Sequence, residues 1–308
     1  MWIQDLGEFD ERLTLLGTRQ NIIYLAQGDR HMLIGGGGAW IVPELEQQIR
    51  ERQIDMDRVR YLLIGHSHYD HCGAVPYLQK RYPHIEVLAS HGAVKLFGME
   101  KAVNNMRAFS RQALEQMGRP LEFQGVSTEF DGVRVARALR DGDRIDLGGN
   151  LSFNVFETPG HSRCALTVYT PEQQWLFPTD SMAIPVGNGN EFICTASESY
   201  AVYLNSLLKL VDLDIQACAW EHYGIMTDEH ARDIVRRIIF STLEYKRALG
   251  EHVAQSGDAE STARWAARVW LEKTAFDFLP FDVMIHIVRK MVANAVEEQL
   301  DEARYLNA

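Results

Sequence analysis

The 308-residue sequence predicts an α+β fold: a body of mixed strands and helices with two sheets plausible, then a helical C-terminal part. Three observations lead there. Short apolar runs bounded by Gly, Asp and Asn recur through the first 225 or so residues. Strand signals stop after Thr227 and helical spacing takes over. One apolar run, Tyr61 to Ile64, ends in a cluster of metal-ligating side chains, as a buried strand does where a site begins.

In chain order, Leu13 to Leu16, Asn21 to Leu25 and His31 to Ile34 read as strands parted by the turn signals Gly17-Thr18 and Gly28-Asp29. The four glycines Gly35 to Gly38 lack the Lys-Ser/Thr of a phosphate cradle, so a tight turn close to another backbone is expected. Ile41 to Arg52 has helical spacing with Pro43 in its first turn. After the Tyr61 strand, Gly73 to Arg81 reads as a helix, Ile85 to Ala89 as a strand and His91 to Gly118 as mostly helix. Phe130 to Thr158 returns to strands and turns, including the alternating Leu151 to Phe156. Ala165 to Thr170, Gln174 to Phe177 and Ile215 to Trp220 are further strands, with the amphipathic Ser197 to Val211 before the last. Three helices are then expected to start near Thr227, Asp258 and Asp282, each a good N-cap. The first buries Ile234, Val235, Ile238, Ile239 and Leu243, the last Val288, Met291, Val292, Ala295 and Val296. Between them Phe276, Phe278, Leu279, Pro280 and Phe281 either pin the tail to the core or line an apolar pocket.

Composition narrows the function. Hydrophobic content of 46% and charged content of 24% are those of a soluble globular protein. A net charge of −11 works against binding nucleic acid through its phosphates. No apolar run is long enough to span a membrane, and Met1-Trp2-Ile3-Gln4-Asp5 has no signal-peptide character. Cys72, Cys164, Cys194 and Cys218 show no paired spacing, so free thiols in a reducing cytoplasm are expected.

The chemistry sits at His66, His68, Asp70 and His71, which hold three of the chain's 11 histidines. Imidazoles beside a carboxylate suit zinc, iron or manganese and are too soft a set for calcium or magnesium. A site for two metals needs more donors, including a bridging carboxylate. Strand ends supply them: His161 in Thr158-Pro159-Gly160-His161, Asp180 after Gln174 to Phe177, and His222 after Ile215 to Trp220. The other histidines, among them His31, His91, His230 and His286, have no usable spacing.

These seven residues, in this order, resemble the metallo-β-lactamase superfamily: HxHxDH, a Gly-His turn, a bridging Asp and a C-terminal His. The resemblance covers about residues 12 to 225. It implies an αβ/βα sandwich over residues 1–226; that 227–308 is a helical extension packing over the active-site entrance is the expectation of a narrower likeness within the superfamily. The superfamily resemblance implies one metal on His66, His68 and His161, another on Asp70, His71 and His222, and Asp180 between them. Within the superfamily, His68 to Gly73, Pro76-Tyr77-Leu78, Val87 to Ser90 and Asp277-Phe278-Leu279-Pro280 resemble the quinolone-signal response thioesterases of the PqsE type, which act on 2-aminobenzoylacetyl-CoA. Three positions depart from the superfamily pattern. Gly35 stands where an Asp is usual, which removes a contact to a ligand; Thr179 and Glu221 stand where glycines usually precede Asp180 and His222. Glu221 is expected to orient His222 or to ligate a metal, with a surface carboxylate as the alternative.

The activity these features imply is hydrolysis of an ester-like bond, a thioester of acyl-CoA type before a lactone, by a hydroxide bridging two zinc or iron ions, with manganese also compatible. Asp70 and Asp180 are the catalytic carboxylates, and Tyr69 and Tyr223, next to ligands, are candidate oxyanion donors or packing residues. Two other classes compete. One is a diiron enzyme activating dioxygen, against which His68 stands where flavodiiron relatives usually carry Glu. The other is a regulatory protein with vestigial hydrolysis, binding a protein partner through the helices after Thr227. A small-molecule substrate is expected in the enzyme readings, and a homodimer is compatible with all three.

Overall fold

Strands Leu13–Thr18 and Asn21–Gln27 pair antiparallel, with Leu15 opposite Tyr24. They read as nearly unbroken apolar runs because both of their faces are buried. Ile22, Tyr24 and Ala26 belong to an apolar layer made only of strand residues, whereas Ile23 and Leu25 pack with the helices. That period of two sets the architecture. The computed structural model describes residues 1–308 and contains two seven-stranded sheets, face to face over the strand-only layer, with helices covering their outer faces. Tyr24 of one sheet meets Phe177 of the other, with ring centroids 5.3 Å apart.

In the first sheet, His31–Ile34, Val59–Leu63 and Glu86–Ser90 run parallel. Parallel neighbours need crossovers, which helices Val42–Glu51 and Val75–Arg81 provide. Pro43 lies in the first turn of the former, as expected. The glycine run makes the expected close approach: a Cβ on Gly36 would lie 2.6 Å from the carbonyl oxygen of His71. The second sheet runs from Trp2–Ile3 at one edge to Arg144–Gly148 at the other, and pairs Trp175–Phe177 parallel with Ala217–Trp220. Trp2–Ile3 and Gly224–Thr227, which pair with each other, carry too few residues to show periodicity in sequence.

Helix starts are where the structure departs from expectation. The motif itself already turns helical at Tyr69–Cys72, ahead of Gly73. Asp258 caps Ala259–Thr274 as expected, accepting from the N–H groups of Glu260 and Ser261. Thr227 instead ends a strand, with Glu229–Arg232 and Ile234–Ser256 following, and Asp282 lies inside the first turn of Phe281–Glu297. Val296 faces solvent, since its helix turns Met284, Ile285, Val288, Met291, Val292 and Ala295 into the core. No helix is long and apolar enough to cross a membrane.

Candidate metal centre

Four chain segments bring the seven predicted residues together at one end of the two sheets. The loop after Val59–Leu63 delivers His66 and His68, and the short helix Tyr69–Cys72 carries Asp70 and His71. His161 follows strand Leu151–Glu157, Asp180 sits in the turn Thr179–Ser181, and His222 lies between the paired strands Ala217–Trp220 and Gly224–Thr227. Three overlapping triads have ligand atoms within 4.8 Å of one another: His66, His68 and His161; His66, His71 and Asp180; Asp70, His71 and His222. Asp180 Oδ2 lies 3.4 Å from His161 Nε2 and its Oδ1 3.6 Å from His222 Nε2, so its carboxylate faces both ends of the cluster.

The tautomers show that this cluster fits a cation. His161 Nδ1 lies 2.8 Å from the Thr195 carbonyl, and His222 Nδ1 faces the Gln20 carbonyl. A carbonyl only accepts, so both rings carry their proton on Nδ1 and present an Nε2 lone pair inward. His71 Nδ1 donates to Glu221 Oε2 at 2.9 Å. Inside the centre, His71 Nε2 and His222 Nε2 are 3.1 Å apart, and His68 Nδ1 is 3.0 Å from both His66 Nε2 and His161 Nε2. Lone pairs this close repel unless a cation or proton lies between them. A proton on His71 would serve Asp70 and Asp180, each 3.3 Å away, but Asp180 Oδ1 is buried with no hydrogen-bond partner. The donor set suits zinc, iron or manganese.

The departures Gly35 and Glu221 are two halves of one contact. Glu221 is buried and supports His71, not the adjacent His222. A Cβ on Gly35 would lie 2.7 Å from Glu221 Oε2, so the absent side chain at 35 makes room for this carboxylate from the other sheet. The contact missing at Gly35 is therefore supplied across the sheets. Thr179 has φ +48°, a conformation natural to glycine and worth about 1–3 kcal/mol of strain in a β-branched residue. Its hydroxyl lies 3.0 Å from His66 Nδ1, a contact no glycine could make. Sequence reasoning missed this role, because a threonine before an aspartate carries no signal.

Tyr69 and Tyr223 flank the centre without aiming their hydroxyls at it. Tyr69 donates to the Phe278 carbonyl at 3.1 Å, and Tyr223 donates to the Thr274 carbonyl while stacking on Phe276. Both hydroxyls are pushed up by burial and stay protonated. They serve to tie the aromatic segment down. Phe276 and Phe278 stand against His222, with ring centroids 4.7 Å and 6.1 Å away.

Burial lowers the basicity of His66, His68 and His161, and repulsion among the imidazoles adds to it; His68 is pushed down to about 4. Burial would raise Asp70 and Asp180, but the surrounding imidazoles outweigh it and hold both below the usual carboxylate range. For His71, burial is outweighed by Asp70, Asp180 and Glu221, which hold it high. Histidines held low take up protons first in the unfolded chain, so they destabilise the fold as pH drops below about 6.5. The depressed carboxylates contribute stability that is likewise lost on acidification. His71 acts oppositely: its stabilisation is full at low pH and is lost as pH rises through its raised value. The melting temperature of chelator-treated protein is expected to fall from about pH 7 to about pH 4; a rise would show that His71 outweighs the rest.

Above the centre lies a cavity of about 600 Å³. His68, Asp70, His161 and Asp180 form its floor, and Leu96, Met106, Phe109, Trp270, Leu279 and Ile287 are among its walls. These wall residues come from distant parts of the chain, and only Phe276 and Leu279 belong to the segment read as pocket-forming from sequence.

Comparison with known proteins agrees with this fold. A metallo-β-lactamase fold-containing protein of Sulfurisphaera tokodaii is 25% identical over 187 residues, covering 59% of this chain and 69% of that protein. A hydroxyacylglutathione hydrolase of Legionella pneumophila is 26% identical over 151 residues, 49% of this chain; the match spans only 44% of that enzyme. A metallo-β-lactamase family protein of Thermus thermophilus shares the fold, with a TM-score of 0.63 at 18% identity over 93% of this chain and 94% of that one. The family model of the metallo-β-lactamase superfamily matches residues 16–222, a span that contains all seven candidate ligand residues, and the chain belongs to that superfamily.

Proposed function

We propose that the protein is a dinuclear-metal hydrolase of an ester-like bond, with a thioester favoured. The observation that carries this reading is the convergence of inward imidazole lone pairs and two carboxylates on the floor of one cavity. His66, His68 and His161 would hold one ion, Asp70, His71 and His222 the other, with Asp180 facing both. Two bound zinc or iron ions supply a Lewis acid for the scissile carbonyl and lower the pKa of water towards neutrality. The chain's own part is to hold the imidazoles in one tautomer through Thr195, Gln20 and Glu221, and to exclude bulk water with Phe276 and Phe278. Asp70, 13% exposed at its side chain, would pass a proton to the leaving group.

The thioester preference draws on the hydroxyacylglutathione hydrolase relatives, whose named substrate is a thioester. The finer likeness to PqsE-type thioesterases rests on the sequence segments alone, of which Asp277 to Pro280 includes Phe278 beside His222. Four free buried cysteines are consistent with a reducing cytoplasm. The test is elemental analysis of protein purified without chelators, alongside acyl-CoA turnover. About two zinc or iron ions per chain and turnover that stops on chelation are expected. Less than about a tenth of an ion, none regained on soaking, would overturn the proposal.

A further inference from the structure

We infer that the cavity above the centre selects an apolar acyl group, longer than a short hydroxyacyl, and so sets the substrate class. This rests on the hydrolase reading and goes beyond it. The cavity lies between helix Glu100–Gln116 and helix Phe281–Glu297, with Met106 and Phe109 from the first and Met284, Ile287 and Met291 from the second. Methionine side chains repack around differently shaped apolar groups, so three of them suit a chain better than one rigid shape. Outside the floor, Arg163 and Glu198 are the charged residues of the lining, beside the exposed polar side chains of Asn105 and His286. Arg163 Nε is 3.1 Å from Glu198 Oε2, and Lys290 Nζ is 2.6 Å from the other oxygen of the same carboxylate. Each cation already has a carboxylate partner, so an acyl carboxylate would have to compete with Glu198 for them, and an acyl hydroxyl set against the apolar walls would lose water without a partner there. The ester carbonyl must reach the floor at His68, Asp70, His161 and Asp180, which leaves the acyl chain against the apolar walls. The walls thus discriminate and the floor reacts.

The test compares kcat/KM of the metal-loaded enzyme on acetyl-, butanoyl-, hexanoyl-, octanoyl- and lactoyl-CoA. An increase of about three- to fourfold per added methylene is expected, with the lactoyl thioester among the poorest. Ile287 and Met106 are half-buried wall residues, so Ile287→Asn and Met106→Gln test the wall without emptying the core. Each should lower the ratio of octanoyl-CoA to acetyl-CoA turnover while leaving metal content unchanged. A flat chain-length profile, or a preference for the lactoyl group, would overturn the inference and leave the hydrolase reading standing. Calorimetric titration with octanamide and lactamide reads the cavity without turnover. If no thioester is hydrolysed the hydrolase reading fails, and these amides decide the inference. Tighter octanamide binding that weakens in Ile287→Asn sustains it, and equal or reversed binding overturns it.

Discussion

Asp180→Ala is expected to abolish the second metal ion and to lower hydrolysis by a factor on the order of 10³ or more, the scale on which losing charge stabilisation at a reacting centre is felt. Asp180 is the residue that faces both ends of the cluster: Oδ2 lies 3.3 Å from His71 and 3.4 Å from His161, and Oδ1 lies 3.6 Å from His222. Removing it would take away the negative charge that would let two cations lie close together. The remaining triad His66, His68 and His161 should still hold one ion. The check is metal stoichiometry together with turnover. Two ions retained with turnover unchanged would sink the role given to Asp180. Near neutral pH the chelator-treated variant should melt below chelator-treated wild type, since the depressed Asp180 carboxyl contributes stability there, but it should still unfold cooperatively because the position is a turn outside the apolar layer between the sheets.

Glu221→Ala is expected to weaken metal binding about 10- to 100-fold, the usual effect of removing the partner of a metal-ligating histidine. Glu221 fixes the Nδ1 proton of His71 and so keeps Nε2 free for a cation. Without it, the buried Nδ1–H loses its acceptor and the ring is free to change tautomer. Glu221→Gln retains an acceptor oxygen and should recover much of the affinity. Gly35→Ala should imitate the loss from the opposite sheet, because its Cβ would crowd Glu221 Oε2 at 2.7 Å and the backbone there has φ +93°. Competition with a chelator of known affinity reads all three variants. If Gly35→Ala binds metal as tightly as wild type, the coupling between positions 35 and 221 is wrong.

Much of this site was written in local sequence. His66, His68, Asp70 and His71 stand within six residues after an apolar run, and residue type with spacing is enough to name candidate metal ligands. His161, Asp180 and His222 each follow a strand, where side chains emerge from the end of a sheet, and their order completed the superfamily pattern. The strands themselves were legible because apolar runs and alternation report burial on one face or two.

What the sequence alone could not decide depends on how distant pieces face one another. Glu221 adjoins His222 along the chain, yet it supports His71, because the turn after Ala217–Trp220 points its side chain across to the first sheet, where Gly35 leaves space. Thr179 reaches His66 only because a left-handed turn brings its hydroxyl there. Tyr69 and Tyr223 sit beside ligands in sequence but bind carbonyls of the C-terminal segment. The cavity walls come from residues as far apart as Leu96 and Met291, which share no sequence period. The ligands are a matter of residue chemistry and short spacing; their supports and the shape above them follow from the register of two sheets and the seating of the last helices.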